Sequence, residues 1–194
     1  MPVIVKQGNL LTEPDATFIL NASNTVLSLG SGVSAAFREH CGGEEYQAYL
    51  NQVRRKHEAE HGPVKQGEVI VSGPGQANNF LYAFHAAVMD YSRGRSRPPQ
   101  MTTLVDILNN INQHLSRFVP KLRSEDPQRA IKLVLPLMGT GVGGLEARKV
   151  LDKYRTFLPE MASRYDMDIV VYGYHREDFL LVRAMLQGRA GKEA

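Results

Sequence analysis

Two short glycine-rich stretches offer backbone chemistry that ordinary turns do not require. GSGV, Gly30 to Val33, opens the helix-like segment GVSAAFREH, and MGTGVGG, Met138 to Gly144, links the apolar run AIKLVLPL to a helix expected to begin near Leu145. Each places free backbone N–H groups at a helix N-terminus, where unpaired amides and the positive end of the helix dipole favour an anion. A tight turn is reason enough for one such loop. Two loops in the same strand–glycine–helix setting point instead to phosphate, because loops at the carboxyl edge of one α/β sheet can grip a diphosphate from both sides. Between the strand run ATFIL and the first loop, Asn21 and Asn24 add side-chain hydrogen-bonding capacity.

Other chemistries are open at this level. Gly139, Gly141 and Gly144 satisfy G-x-G-x-x-G, and Gly30, Gly32 and Ala35 satisfy its alanine-ended form, so a nicotinamide oxidoreductase is a competing reading. Three features count against it. Residues 22–29 separate the first loop from its expected strand, little chain follows the second loop, and the strand MDIVVYGY ends without the acid that would hold a ribose 2′-hydroxyl. HEAEH, residues 57–61, satisfies the zinc-protease pattern H-E-x-x-H, but it closes a charged helix and no acid lies between Glu68 and Asp90 to act as third ligand. No metal and no cofactor are expected. His85, inside an apolar strand, reads as a satisfied core histidine. Cys41 falls near the end of its helix, where the dipole does not activate a thiol.

The elements that must position these residues follow from apolar periodicity. Strands are expected at 3–7, 16–21, 67–72, 79–88, 130–137 and 167–174, and a charged helix at 43–61, stopped by Gly62-Pro63. Stripes at helical spacing run from Leu104 to Phe118, from Ala147 to Leu158 (with Pro159 expected to kink or end that helix) and from Leu180 to Met185. Loops are expected at 91–100 and 123–129. The alternation predicts a three-layer α/β/α sandwich with a central mixed, largely parallel sheet. The 194 residues suit one domain, expected over 1–188 with 189–194 as a frayed tail. No membrane span or leader is evident, and a single cysteine fits a reducing, cytoplasmic setting. A net charge of +3, from 23 basic against 20 acidic residues, is too small for binding dominated by nucleic-acid phosphates.

The order G-N-L-L (8–11), D-A-T-F-I-L-N-A-S-N (15–24), G-S-G-V (30–33) and G-T-G-V-G-G (139–144) resembles the macro domain, an α/β/α module that binds ADP-ribose and related nucleotides. The resemblance covers most of the chain. The stretch from Arg38 to Gly75 is similar to the macro domain of a histone variant, a branch without enzymatic activity. By resemblance, Asn24 matches the asparagine that hydrogen-bonds the distal ribose, and Asn21 the more structural first asparagine. Gly30, Ser31, Gly32, Val33 and Ser34 match one loop around the diphosphate and distal ribose. Gly139, Thr140, Gly141, Val142, Gly143 and Gly144 match the other, and Tyr174 an aromatic that stacks on adenine. Asn9, with Leu10 beside it, stands where the family usually has an aspartate that accepts from the adenine amino group.

The departures bear on catalysis. One hydrolase branch carries an aspartate where this chain has Ser34, and another carries an acid where it has Gly143; many members have an aromatic at that second position. The expected function is therefore binding of ADP-ribose or a related nucleotide, including an ADP-ribosylated protein. The alternatives are a hydrolase of ADP-ribosyl or O-acetyl-ADP-ribose bonds, with Asn24 its only catalytic candidate, and an RNA- or protein-interaction module using the Arg93–Arg97 loop.

Overall fold

The computed structural model describes residues 3–188, so the tail expected to fray lies outside the described residues. Six strands form one sheet: β1 (Val3–Gln7), β2 (Ala16–Asn24), β3 (Val69–Ser72), β4 (Phe80–Met89), β5 (Lys132–Pro136) and β6 (Asp168–Gly173). Their order is β1-β6-β5-β2-β4-β3, with every pairing parallel except β3 against β4. Five helices complete the fold: α1 (Gly32–Cys41), α2 (Glu44–His61), α3 (Met101–Glu125), α4 (Ala147–Tyr165) and α5 (Arg176–Gln187). The expected α/β/α sandwich with a mixed, largely parallel sheet is what forms.

Both faces of the sheet are covered, which is why the strands read as near-continuous apolar runs. Phe18, Leu20, Phe84 and Leu133 turn toward the face carrying α3, α4 and α5. Ile19, Val134 and Val170 turn the other way, toward α1, α2 and a 3-10 turn at Leu10–Thr12. On that second face Glu13 is almost fully buried. Its carboxylate is held by Lys6 (2.9 Å), Lys132 (3.0 Å) and the Tyr172 hydroxyl (2.6 Å). Burial alone would raise its pKa, but these hydrogen bonds outweigh that and hold it below the usual carboxylate value.

Three expectations need correction. The strand through ATFIL continues to Asn24, because residues 21–23 pair in register with His85, Ala86 and Ala87 of β4; only residues 25–29 then separate it from GSGV. Pro159 does not end α4, which runs on to Tyr165 with the proline inside it, and α3 likewise runs through Pro120. Packing of Leu158, Met161 and Ala162 into the core holds the turns on either side of Pro159. Residues 123–125, expected in a loop, form the last turn of α3.

Candidate functional site

The two glycine loops leave the carboxyl ends of β2 and β5, which are neighbours in the sheet, and face each other across a cleft of about 410 Å3. Gly30 to Ser34 form one wall, and Gly139, Gly141, Val142 and Gly143 the other. Ser23, Asn24 and Pro136 contribute to the floor, beside Val88 and Met89 at the end of β4. All the lining side chains are neutral. Any affinity of this cleft for an anion rests on backbone amides and hydrogen-bond donors rather than on fixed cations.

Backbone amides without side-chain acceptors border the first wall. Ser31 precedes α1 in extended conformation (φ −149°, ψ 155°), and its side chain makes no capping bond, so the first-turn N–H groups have no side-chain acceptor. Gly32 takes φ +56°, a left-handed value at which a side chain is strained. The second loop is folded on itself by Gly144 N–H donating to the Gly141 carbonyl (3.1 Å) and Leu145 N–H donating to the Gly139 carbonyl (2.8 Å). A Cβ at Gly143 would lie 2.6 Å from the Gly139 carbonyl oxygen, so this loop shape excludes any side chain there. Val142 stands out at its tip, 93% exposed.

Asn24 is buried and its side chain shapes the connection to the first loop. Its Oδ1 accepts from the N–H groups of Val26 (3.1 Å) and Ser28 (3.2 Å), and its Nδ2 donates to the Ser28 carbonyl (2.8 Å). Both acceptor positions are thereby used, and one Nδ2 proton remains to donate. Asn21 has no exposure and lies beneath the cleft. Its Oδ1 is 3.2 Å from the Ser34 hydroxyl, which also lies 3.0 Å from the Ala22 carbonyl, while its Nδ2 donates to His85 Nδ1 (3.1 Å). Because Nδ1 accepts, the proton of the neutral ring sits on Nε2, which donates to Ser72 Oγ at 2.8 Å. Complete burial pulls the His85 pKa down to about 3. His85 is thus a neutral, doubly bonded core histidine, and Ser34 is turned inward onto the same network.

Residues 20–153 match the family model described as the Macro domain. The chain belongs to the macro domain family. An uncharacterized protein of Pyrobaculum aerophilum is 26% identical over 175 residues, covering 88% of this chain and 84% of its own. Among solved structures, an Oceanobacillus iheyensis macrodomain mutant with ADPR superposes with a TM-score of 0.72 at 21% identity, over 98% of this chain and 93% of that one. The Trypanosoma brucei macrodomain in complex with ADP-ribose gives 0.64 at 16% identity, over 93% of this chain and 67% of the other.

Within this macro domain the remaining expected site residues lie around or beneath the cleft rather than in its lining. Asn9 is exposed and its Oδ1 caps the 3-10 turn by accepting from Leu11 N–H (3.0 Å), while Leu10 turns its side chain into the core. Tyr174, 63% exposed, follows β6 and stacks edge-on to His175 with ring centroids 4.9 Å apart. Since Gly8 N–H donates to the Gly173 carbonyl (3.0 Å), Asn9 and Tyr174 share the β1–β6 end of the carboxyl edge, separated from Asn24 on β2 by β5. Thr140 donates from Oγ1 to the Leu137 carbonyl (3.3 Å) and, with Gly144, shapes the second loop from outside the lining. Sequence reasoning missed Ser28, Met89 and Tyr91, which also line the cleft. Asn24 pairs with Met89 across the β2–β4 ladder, and no local pattern in the chain announces that pairing.

The competing chemistries do not gather around this cleft. His57 and His61 lie on a larger, open groove of about 780 Å3 between α2 and α3 along β3, which shares no residue with the cleft. There His57 faces Glu68 (3.5 Å) and His61 faces Glu60 (3.7 Å). No group of three or more metal-ligating side chains is assembled among the described residues. Burial pushes the Cys41 thiol up to about 12, far from a reactive thiolate. The strand order also differs from the doubly wound dinucleotide-binding sheet that the glycine patterns had suggested.

Proposed function

We propose that this macro domain, one unit over residues 1–188, binds ADP-ribose or a close nucleotide relative between its two glycine loops. The observation that carries the reading is the convergence of the uncapped α1 N-terminus and the Gly139–Gly144 loop on one neutral cleft. In this reading the α1 amides and the second loop hold the diphosphate, and the remaining Nδ2 proton of Asn24 donates to the distal ribose. Adenine lies toward β1 and β6, with Tyr174 against its face and the second lone pair of Asn9 Oδ1 accepting from its amino group. The Oceanobacillus and Trypanosoma relatives, solved with ADPR and with ADP-ribose, support this ligand class. A cytoplasmic location goes with the reading, supported by the lone, buried Cys41.

In this reading the ligand is taken up attached to a protein as well as free. Binding is favoured over hydrolysis because the lining side chains include no carboxylate to activate water, and His85 is buried and bonded at both nitrogens. Titration calorimetry with ADP-ribose tests the first point, and absence of binding at about millimolar concentration would end the reading. Incubation with a mono-ADP-ribosylated protein tests the second. The conjugate is expected to survive; release of free ADP-ribose that disappears in Asn24→Ala would establish a hydrolase instead.

A further inference from the structure

Beside the cleft stands a cationic hairpin. Asp90 and Arg97 exchange both backbone hydrogen bonds (Asp90 N–H to the Arg97 carbonyl at 3.1 Å, the reverse at 2.8 Å), closing the six residues Tyr91 to Ser96 into a projecting loop. Its base is built into the site. Tyr91 lines the cleft and donates its N–H to Thr25 Oγ1 (2.9 Å), one residue beyond Asn24. Asp90 Oδ1 accepts from both the N–H (2.9 Å) and the hydroxyl (2.6 Å) of Ser92, which fixes the first turn. On the return strand, Gln66 Nε2 donates to the carbonyls of Val88 (2.8 Å) and Pro98 (3.2 Å), and Pro99 is buried against the second glycine loop.

The tip carries charge without partners. Arg93 and Arg95 are exposed, and no ion pair engages either among the described residues. Arg97 is different, since its charge is set against Asp90. Residues 91–100, YSRGRSRPPQ, contain no acid to neutralise the pair, and Gly94 at φ +71° makes the turn between them. Two guanidinium groups without ion pairs therefore stand on a hairpin whose base at Tyr91 lines an uncharged cleft, and both lie outside that lining. A nucleotide confined to the cleft touches neither side chain, since neither lines it.

We propose that the hairpin Tyr91–Ser96 is a second docking element that reads the carrier rather than the nucleotide. Its partner is an acidic protein segment next to the ADP-ribosylated residue, whose Asp and Glu carboxylates pair with Arg93 and Arg95. The inference rests on the proposed nucleotide site. Guanidinium forks match carboxylates in geometry as well as charge, and rim charges of this kind set partner choice more than total affinity.

The test compares three probes: free ADP-ribose, an ADP-ribosylated peptide with acidic flanks, and the same peptide with neutral flanks. Each is titrated into the native chain and into the double variant R93E/R95E. The acidic peptide is expected to bind about fivefold more tightly than the neutral one at low salt, an advantage abolished by the variant and by about 0.5 M salt. Free ADP-ribose should bind both proteins within about twofold of each other, which also establishes that the variant folds. Equal affinity of the native chain for the two peptides overturns the proposal. So does an equal loss for free ADP-ribose in the variant, which would assign the arginines to the nucleotide, or displacement of the acidic peptide by an RNA oligonucleotide at equal concentration. If free ADP-ribose fails to bind the native chain, the site reading itself has failed and the inference goes with it.

Discussion

At the residue scale, Asn24 and His85 show how much of this site is hydrogen-bond accounting. Asn24 anchors residues 26–28 with three bonds and holds one donor in reserve. Asn24→Ala is expected to cost about 1–3 kcal/mol of stability and to weaken ADP-ribose binding by at least about tenfold. Asn24→Asp retains the acceptor oxygen for the Val26 and Ser28 amides, but it sets a buried carboxylate oxygen against the Ser28 carbonyl and has no donor for the sugar. It should therefore lose both stability and binding, as urea titration and calorimetry would show. His85 makes a pH prediction with a definite sign. Its folded pKa, about 3, lies below the unfolded reference of 6.5, so the unfolded chain binds more protons at intermediate pH. Its contribution to stability is complete above about pH 6.5 and declines as pH falls toward 3, steepening to about 1.4 kcal/mol per pH unit. His114 is shifted in the same direction by burial and adds to the slope, and the depressed pKa of Glu13 adds a further loss at more acid pH. Urea midpoints between pH 7.5 and 5 should fall, and His85→Gln should flatten that fall.

At the element scale, what matters is the shape of the second glycine loop. Gly139 takes φ +76°, and the loop closes so tightly that a Cβ on Gly143 would press on the Gly139 carbonyl oxygen at 2.6 Å. Gly143→Phe is therefore expected to open the loop, lowering ADP-ribose affinity by about tenfold or more. The loop is on the surface, so the thermal midpoint should change by only a few degrees, as calorimetric scanning would show. An unchanged affinity would mean that the loop does not hold the ligand in this conformation. The helix opposite imposes a similar constraint: Ser31 leaves the first turn of α1 without a side-chain cap, so an anion there completes bonds the folded chain leaves open.

At the scale of the whole molecule, the sheet order places both glycine loops on one carboxyl edge and the hairpin Tyr91–Ser96 beside them. A ligand held by several elements stabilises the fold by mass action. ADP-ribose at about a hundred times its dissociation constant should add about 2.7 kcal/mol, or roughly 5–10 °C in thermal midpoint, readable by differential scanning fluorimetry. Because the lining is neutral, affinity for free ADP-ribose should vary little with salt, in contrast to that for an acidic conjugate. A steep salt dependence for the free nucleotide would show that fixed cations reach into the cleft.

The glycine loops, the strand–helix alternation and the continuous apolar strands are legible along the chain because each is a local property: backbone freedom, periodicity, and burial on both sheet faces. GSGV and MGTGVGG raise the expectation of an anion site before any contact is known, and the order of motifs points to the family. Tertiary structure decides what depends on pairing between distant segments. It extends β2 to Asn24 through its register with β4, buries Asn21 against His85 sixty-four residues away, and brings Met89 and Tyr91 into the cleft. It also separates the HEAEH histidines from the cleft and carries α4 through Pro159, because packing outweighs the local penalty. A glycine loop is a statement about one backbone, whereas a binding cleft is a statement about which loops the strand order makes neighbours.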